Sequence, residues 1–250
     1  MYLVCIFGIV GRSIKYCHMS HIKHVFEVLE RKGIPYETLV VDNNIERIDG
    51  VDISKDDYKL IKYDKYVRLN QDEIDKTVTS MYPEYWKLFD DKHCYQHKGT
   101  CMNAVRQSFI EQTVASNISS NYDRVIAFSA DFQFIHDMPV RDITQMNKND
   151  IMISNMNHAG GYTNGLYIGT PHAVKLCMMH LDIIGETYEV TIKRNIERHN
   201  LNVIVKSIIF SKIRANLDVF LLRNKRLKNK IKNSLDDNYK QLLAYRGSNV

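Results

Sequence analysis

The first 42 residues restrict the fold more than any other stretch. Leu3 to Gly8 is a short run without charge, rich in side chains that favour extended backbone, and reads as a fully buried strand. His21 to Lys32 then repeats apolar residues at helical spacing, with Ile22, Val25, Phe26 and Leu29 on one face. Gly33 suits a helix C-terminus, and Pro35 opens a second apolar run, Tyr36 to Val41, that ends at Asp42. A strand, a helix and a second strand in this order predict a parallel pair with a crossover helix, and so an α/β fold with a mostly parallel sheet flanked by helices.

A third apolar run, Val125 to Phe128, has the same character and ends in Ser129-Ala130-Asp131. Ligands of open α/β sheets gather beyond the carboxyl ends of the strands. Asp131 is expected at that rim, where a carboxylate can hold Mn²⁺ or Mg²⁺; a turn cap is the plainer alternative. After the first strand, Gly8-Ile9-Val10-Gly11-Arg12-Ser13 offers flexible backbone and a basic side chain suited to phosphate. The spacing is not that of a dinucleotide-binding glycine fingerprint.

Further along, Tyr58 to Tyr63 and Tyr66 to Leu69 read as weak strands. Gln71 to Phe89, with Met81, Tyr82, Tyr85 and Trp86, reads as a short helix or lid. Gly99 to Ser116 has helical spacing, with Met102, Val105, Phe109 and Val114 inward and Arg106 and Gln107 on another face. Ile151 to Ile153 and Leu166 to Gly169 read as strands, and Pro171 to Leu181 and Val190 to His199 as helices. Asn202 to Phe210 reads as a strand carried on to Ile213-Arg214. Between them, Asn155 to Gly169 mixes glycines with amides, a histidine and tyrosines. That mixture suits a polyhydroxylated ligand such as a sugar, and equally a glycine-rich turn.

At 250 residues the chain fits one domain with an appendage. The expected boundary sets residues 1–222 apart from a basic helical tail, 223–250, where Arg223 to Lys232 is dense in Lys and Arg. A solvated helix accounts for that segment; peripheral membrane contact is the sharper alternative. Five scattered cysteines with no CxxC pair fit a reducing compartment such as the cytoplasm and argue against zinc. Met1 to Val10 is apolar but lacks a basic flank and a cleavage site, so it reads as a strand, not a leader. The formal charge of +5 suits a phosphate-bearing ligand, while the acidic residues spread through the body and the missing reading motif argue against nucleic acid.

Several stretches together resemble the GT-A-type nucleotide-sugar glycosyltransferases of large DNA viruses and bacterial polysaccharide clusters. They are Phe7-Gly8 with Arg12-Ser13-Ile14-Lys15-Tyr16, Asn103-Ala104-Val105-Arg106-Gln107, Tyr122-Asp123 leading to Asp131, Gly160-Gly161-Tyr162 with Leu166 to Gly169, and Ile213-Arg214-Ala215-Asn216. The resemblance spans roughly residues 1–220 and implies a GT-A-like single domain with a Rossmann-like nucleotide-binding half. It implies transfer of a sugar from a nucleotide diphosphate-sugar to a hydroxyl of a glycan or glycoprotein acceptor, in the host cytoplasm if the source is viral. A non-catalytic nucleotide- or glycan-binding relative is the alternative.

On this resemblance Gly8, Ile9, Arg12, Lys15, Asp42 and Arg106 would hold the nucleotide diphosphate and Asp131 the metal. His158, Tyr162 and Asn164 would contact the sugar, with Asp131, His158 and Asn164 as the catalytic set. Two positions depart from the family. The acidic motif keeps only one carboxylate, Asp131, which leaves metal-independent binding through Arg12, Lys15 and Arg106 as a second route. Thr163-Asn164 stands where relatives show Asn-Asp, and an amide there cannot take up a proton.

Overall fold

The computed structural model describes residues 1–48, 50–54, 56–83, 98–156, 160–183, 187–215 and 219–220. Strand β1 (Tyr2–Gly8) is buried along its whole length. A 3-10 turn, Val10–Arg12, leads into helix α1 (Ile14–His21), which continues through a π-helical turn, Ile22–Phe26, into α2 (Glu27–Arg31). The helix therefore begins a full two turns before the apolar pattern announces it. Its first half buries His18, Ser20 and His21 beside Ile14 and Cys17, and polar residues on a buried face hide the periodicity. Gly33 stops it in the left-handed conformation (φ +63°), its N–H donating to the Glu30 carbonyl while Ile34 N–H reaches Leu29.

The chain continues as β2 (Tyr36–Asn44), a small hairpin of β3 (Arg47–Ile48) and β4 (Val51–Asp52), then β5 (Lys65–Asn70) and α3 (Gln71–Met81). Tyr58 to Tyr63 is not a strand: Asp57–Leu60 is a 3-10 turn, and Tyr58, Tyr63 and Tyr66 instead pack ring on ring. Asn70 caps α3 by accepting from Asp72 N–H. Tyr85, Trp86 and the rest of 84–97 lie outside the described residues, as do His158, Asn216 and the whole basic segment 223–232.

Next come α4 (Lys98–Asn117), β6 (Arg124–Ser129), β7 (Phe132–Phe134), α5 (Val140–Thr144), β8 (Asp150–Ser154) and β9 (Leu166–Gly169). They are followed by α6 (Pro171–Met178), α7 (Tyr188–Arg198), β10 (Asn202–Lys206), β11 (Phe210–Ile213) and β12 (Val219–Phe220). The expected single strand from Asn202 to Arg214 is two strands in two sheets.

The main sheet has seven strands in the order β10-β8-β9-β6-β1-β2-β5, so β6 lies in its middle. β1 pairs in parallel with β2 and β6, β2 with β5, and β8 with β10. β9 runs antiparallel between β6 and β8. The expected mostly parallel α/β sheet flanked by helices is what forms. Alternate residues of each strand go to opposite faces. Val4, Ile6, Val40, Ile126 and Phe128 join Val25 and Leu29 of the first helix in one core. Leu3, Cys5, Phe7, Val125 and Ala127 join Val78, Val105, Val114, Val174 and Ile192 of the helices on the other side. Each fully buried aliphatic or aromatic side chain of these layers contributes roughly 1.5–3 kcal/mol.

A second, three-stranded sheet, β12-β11-β7, is antiparallel. It starts where β6 ends. Phe132 stacks on Phe210 across it, ring centroids 3.9 Å apart. His21 on the first helix is bonded through Nε2 to the Phe132 carbonyl at 2.7 Å, and Ser20 accepts from Phe134 N–H. Burial lowers the His21 imidazole to about 4, so it is neutral at pH 7. Among the described residues no helix is long and apolar enough to cross a membrane. Cys5, Cys17 and Cys177 are free and buried.

The glycine-rich segment before β9 lies against the start of α7. A Cβ on Gly161 would stand 1.9 Å from the Glu189 carbonyl oxygen, whereas one on Gly33 meets nothing within 4 Å. Gly161→Ala should therefore cost about 1–3 kcal/mol as overpacking against backbone. Gly33→Ala should cost about 1 kcal/mol through its φ alone. Chemical denaturation of both variants checks the ranking; an equal or reversed loss refutes the close approach.

Candidate functional site

Strands β1, β2 and β6 are parallel and end at one rim of the sheet, where a cleft of about 460 Å³ opens. Its wall includes Ile9 and Arg12 after β1, Asn43 in β2, and Ser129 and Asp131 at the end of β6. Helix α4 adds Asn103, Arg106 and Gln107; the segment before β9 adds Asn164 and Gly165; α7 adds Tyr188 and Glu189. Lys212 of β11 and Arg214 just after it complete the wall.

Asp131 is the centre of this arrangement. It is almost fully buried, 1% exposed, although it carries a charge. Ser129 Oγ donates to its Oδ1 at 2.8 Å. Arg12 Nη2 donates to its Oδ2 at 2.7 Å, and Arg214 Nη1 stands 3.6 Å from the same oxygen. Burial on its own would raise the carboxyl; Arg12, Lys212 and Arg214, helped by the Ser129 hydroxyl, outweigh it and hold the group below the ordinary carboxylate range. The second sheet is what gathers these cations. Ile213 N–H donates to the Asp131 carbonyl at 2.9 Å, and the register sets Lys212 opposite Phe132. Lys212 and Arg214, two residues apart on an extended chain, then project to the same side.

The remaining cleft groups are also held. Lys212 Nζ donates to Asn164 Oδ1 at 2.7 Å and lies 5.3 Å from the Phe132 ring centroid. Asn164 Nδ2 donates to Glu189 Oε1 at 3.0 Å. Arg106 makes a two-point pair with Asp75 of α3, Nε to Oδ1 at 2.8 Å and Nη2 to Oδ2 at 2.6 Å. Among the described residues, two buried polar atoms of the wall have no hydrogen-bond partner: Arg12 Nε and Asn43 Oδ1. Such orphans in a polar hollow are ready to meet a ligand.

The structure thus brings Ile9, Arg12, Arg106, Asp131 and Asn164 to one cleft. Other expected residues stand elsewhere. Lys15 is half-buried beside the Tyr16 ring, 5.1 Å from its centroid, and is not part of the cleft wall. Tyr162 packs against the core of the helical layer, its N–H donating to the Glu189 carbonyl. Gly8 turns the chain at the rim with φ +111° but does not line the cleft. Asp42 was expected at a strand end facing ligand. Instead β2 runs on to Asn44, and Asp42 is 4% exposed, accepting from Val10 N–H at 3.0 Å and Tyr66 OH at 2.9 Å. Its neighbour Asn43 faces the cleft in its place.

Lys212 and Glu189 had no role in the sequence reading. The alternation Phe210-Ser211-Lys212-Ile213-Arg214, with a lysine and an arginine in phase on a buried strand, is the signal that marks Lys212 and Arg214 together. Nothing local marks Glu189.

Mn²⁺ or Mg²⁺ at Asp131 requires one or two carboxylates with lone pairs to give. Among the described residues no three His, Cys, Asp or Glu side chains group as a metal site. Asp131 already accepts from Ser129 and Arg12 and is crowded by Arg214 and Lys212. A doubly charged ion about 5 Å from one guanidinium is repelled by several kcal/mol at an effective dielectric of ~20. Three such cations around one acid make a poor fit for a divalent metal.

Beneath the cleft lies a second buried acid. Glu111 of α4 is 0% exposed and accepts from Gln107 Nε2 at 2.9 Å and Tyr167 OH at 2.8 Å. His180 Nε2 is 3.6 Å away and bonds the Tyr188 hydroxyl at 3.1 Å. Burial raises the Glu111 carboxyl to about 7, against those hydrogen bonds.

In comparisons with known proteins, no family model matches the chain and no curated protein matches it.

Because the folded protein binds the Glu111 proton more tightly than the unfolded chain, its contribution to stability is complete below the ordinary value of 4.5 and is lost as pH rises through about 7. Glu111→Gln does not ionise. From pH 5 to pH 8 the stability of the variant relative to wild type should rise by on the order of a few kcal/mol. Denaturation curves across that range check it; a pH-independent difference refutes it.

Proposed function

We propose that the protein is a glycosyltransferase of the GT-A type, moving a sugar from a nucleotide diphosphate-sugar to a hydroxyl of a glycan. The observation that carries this reading is the convergence of Arg12, Arg106, Lys212 and Arg214 on one polar cleft at the carboxyl rim of a mostly parallel sheet. That rim is where nucleotides bind in open α/β folds, and fixed cations there suit a pyrophosphate. The unpartnered Asn43 Oδ1 supplies an acceptor for a base or ribose donor on the β2 side.

In the reaction, the acceptor oxygen attacks the anomeric carbon and forms the new C–O bond. The bond from that carbon to the β-phosphate oxygen breaks, and its electron pair leaves with the nucleoside diphosphate. The hydroxyl proton goes to a base. Cations placed around the departing oxygens stabilise charge as it grows. Glu189 is the second carboxylate of the described cleft wall and stands in hydrogen-bond contact with Asn164. We assign it the proton and assign Asn164 the orientation of a sugar or acceptor hydroxyl.

The tight engagement of Asp131 by cations favours one alternative, a relative that binds the nucleotide without turning it over, since a fold does not fix an activity. A screen of UDP- and GDP-sugars for donor hydrolysis separates the two. Turnover with at least one donor is expected, with Glu189→Gln lowering the rate about 10²–10⁴-fold at unchanged UDP or GDP affinity. Binding without turnover selects the non-catalytic reading, and no binding of any donor sinks both. Arg12→Ala should weaken nucleotide diphosphate affinity by about tenfold or more, the loss expected of a charge-assisted hydrogen bond; unchanged affinity by calorimetry removes Arg12 from the site.

A further inference from the structure

We infer that the cleft binds a diphosphate without a divalent cation, through a clamp of Arg12, Lys212 and Arg214 in which Asp131 serves as their shared counterion and not as a metal ligand. The inference rests on the nucleotide-sugar reading for the identity of the ligand, but the clamp itself stands on geometry.

Three cations come from three places in the chain: Arg12 from the turn after β1, Lys212 from β11 and Arg214 from the residue beyond it. All three line the same wall. Against their three charges stand Asp131 and, on the Lys212 side, Glu189, so the cluster keeps a formal surplus of one positive charge. Of the oxygens that a metal would need, Oδ1 accepts from Ser129 and Oδ2 from Arg12 with Arg214 close by. Arg12 keeps donor capacity that Asp131 does not use. Arg12 Nε is buried and has no hydrogen-bond partner among the described residues, a guanidinium presents five donors and an ammonium three, and each cation also lines the open cleft. A carboxylate at the centre removes the mutual repulsion that would splay three like charges apart. It holds them together on one wall, so they are arranged before the anion arrives and little reorganisation accompanies its binding. Asp131 is in this sense a positioning residue.

A diphosphate can arrive as part of a nucleotide or as inorganic pyrophosphate. The chemistry recognised is the same, and titration separates the sources. UDP, GDP and inorganic pyrophosphate are each titrated calorimetrically into the full chain, first in EDTA and then in Mn²⁺ or Mg²⁺. The expected result is a dissociation constant for UDP or GDP in EDTA within about threefold of that with metal, weakening steeply as salt rises. Lys212→Met and Arg214→Ala should each weaken metal-free binding about tenfold or more. Their thermal transitions report folding independently, and the wild-type EDTA arm needs no variant.

Nucleotide binding that falls more than tenfold in EDTA overturns the clamp while leaving the sugar-transfer reading in place. Metal-free binding of pyrophosphate with no gain from UDP or GDP supports the clamp and sinks the nucleotide reading. Folded Lys212 and Arg214 variants that bind as wild type does overturn the clamp, and so does the failure of all three probes to bind.

Discussion

A charge buried at the end of the middle strand governs the rest of the molecule. Asp131 is 1% exposed, and an ionised carboxylate cannot stay in such a place without partners. The partners have to be brought to it. The 3-10 turn after β1 brings Arg12, and the whole of the second sheet brings Lys212 and Arg214. The small sheet is anchored in turn by Phe132 stacked on Phe210 and by His21 and Ser20 bonding to the β7 backbone. The first helix, the central strand and the returning strand are thereby tied together around one acid.

What could be read from the sequence divides along a physical line. Strands β1, β2 and β6 are buried on both faces, so they have to be continuous apolar runs, and such runs are visible without a structure. The rim residues beside them, Ile9, Arg12 and Asp131, follow from the fold rule alone. Arg106 and Asn164 were found through motif likeness and do line the cleft. Lys15 and Asp42, also expected there, do not line the cleft. Asp42 lies on the face of β2 opposite Asn43, held by Val10 N–H and the Tyr66 hydroxyl, and Lys15 lies over the Tyr16 ring. Lys212 escaped because the break between β10 and β11, marked only by the polar pair Lys206-Ser207, is hidden in a stretch rich in β-branched residues. Once the chain is cut there, its second half belongs to another sheet and delivers charge to the rim. Glu189 is held at the cleft by Gly161 packed on its backbone, Tyr162 N–H and Asn164, contacts between distant segments that no local pattern encodes.

The buried group under the cleft follows a different logic from Asp131. Among the described residues Glu111 has no cation at hydrogen-bond distance and shares its environment with Gln107, Tyr167, Tyr188 and His180. Two acids within one α/β body are thus driven in opposite directions: Asp131 toward ionisation by its cations, Glu111 toward neutrality by its burial. Gln107 and Tyr188 belong both to this network and to the cleft wall. The protonation of Glu111 is therefore one hydrogen bond away from the floor on which a ligand would rest.

The single reversed strand has an architectural effect. The parallel strands feed the rim with the loops that leave them, whereas β9, running the other way, feeds it with the loop that enters: Asn164 and Gly165 precede Leu166, which faces Phe128 near the tip of β6. One wall of the cleft is thus hung from a connection that crosses no parallel unit. A change at Asn164 or Gly165 would therefore reshape the mouth of the cleft while every βαβ crossover beneath it kept its length.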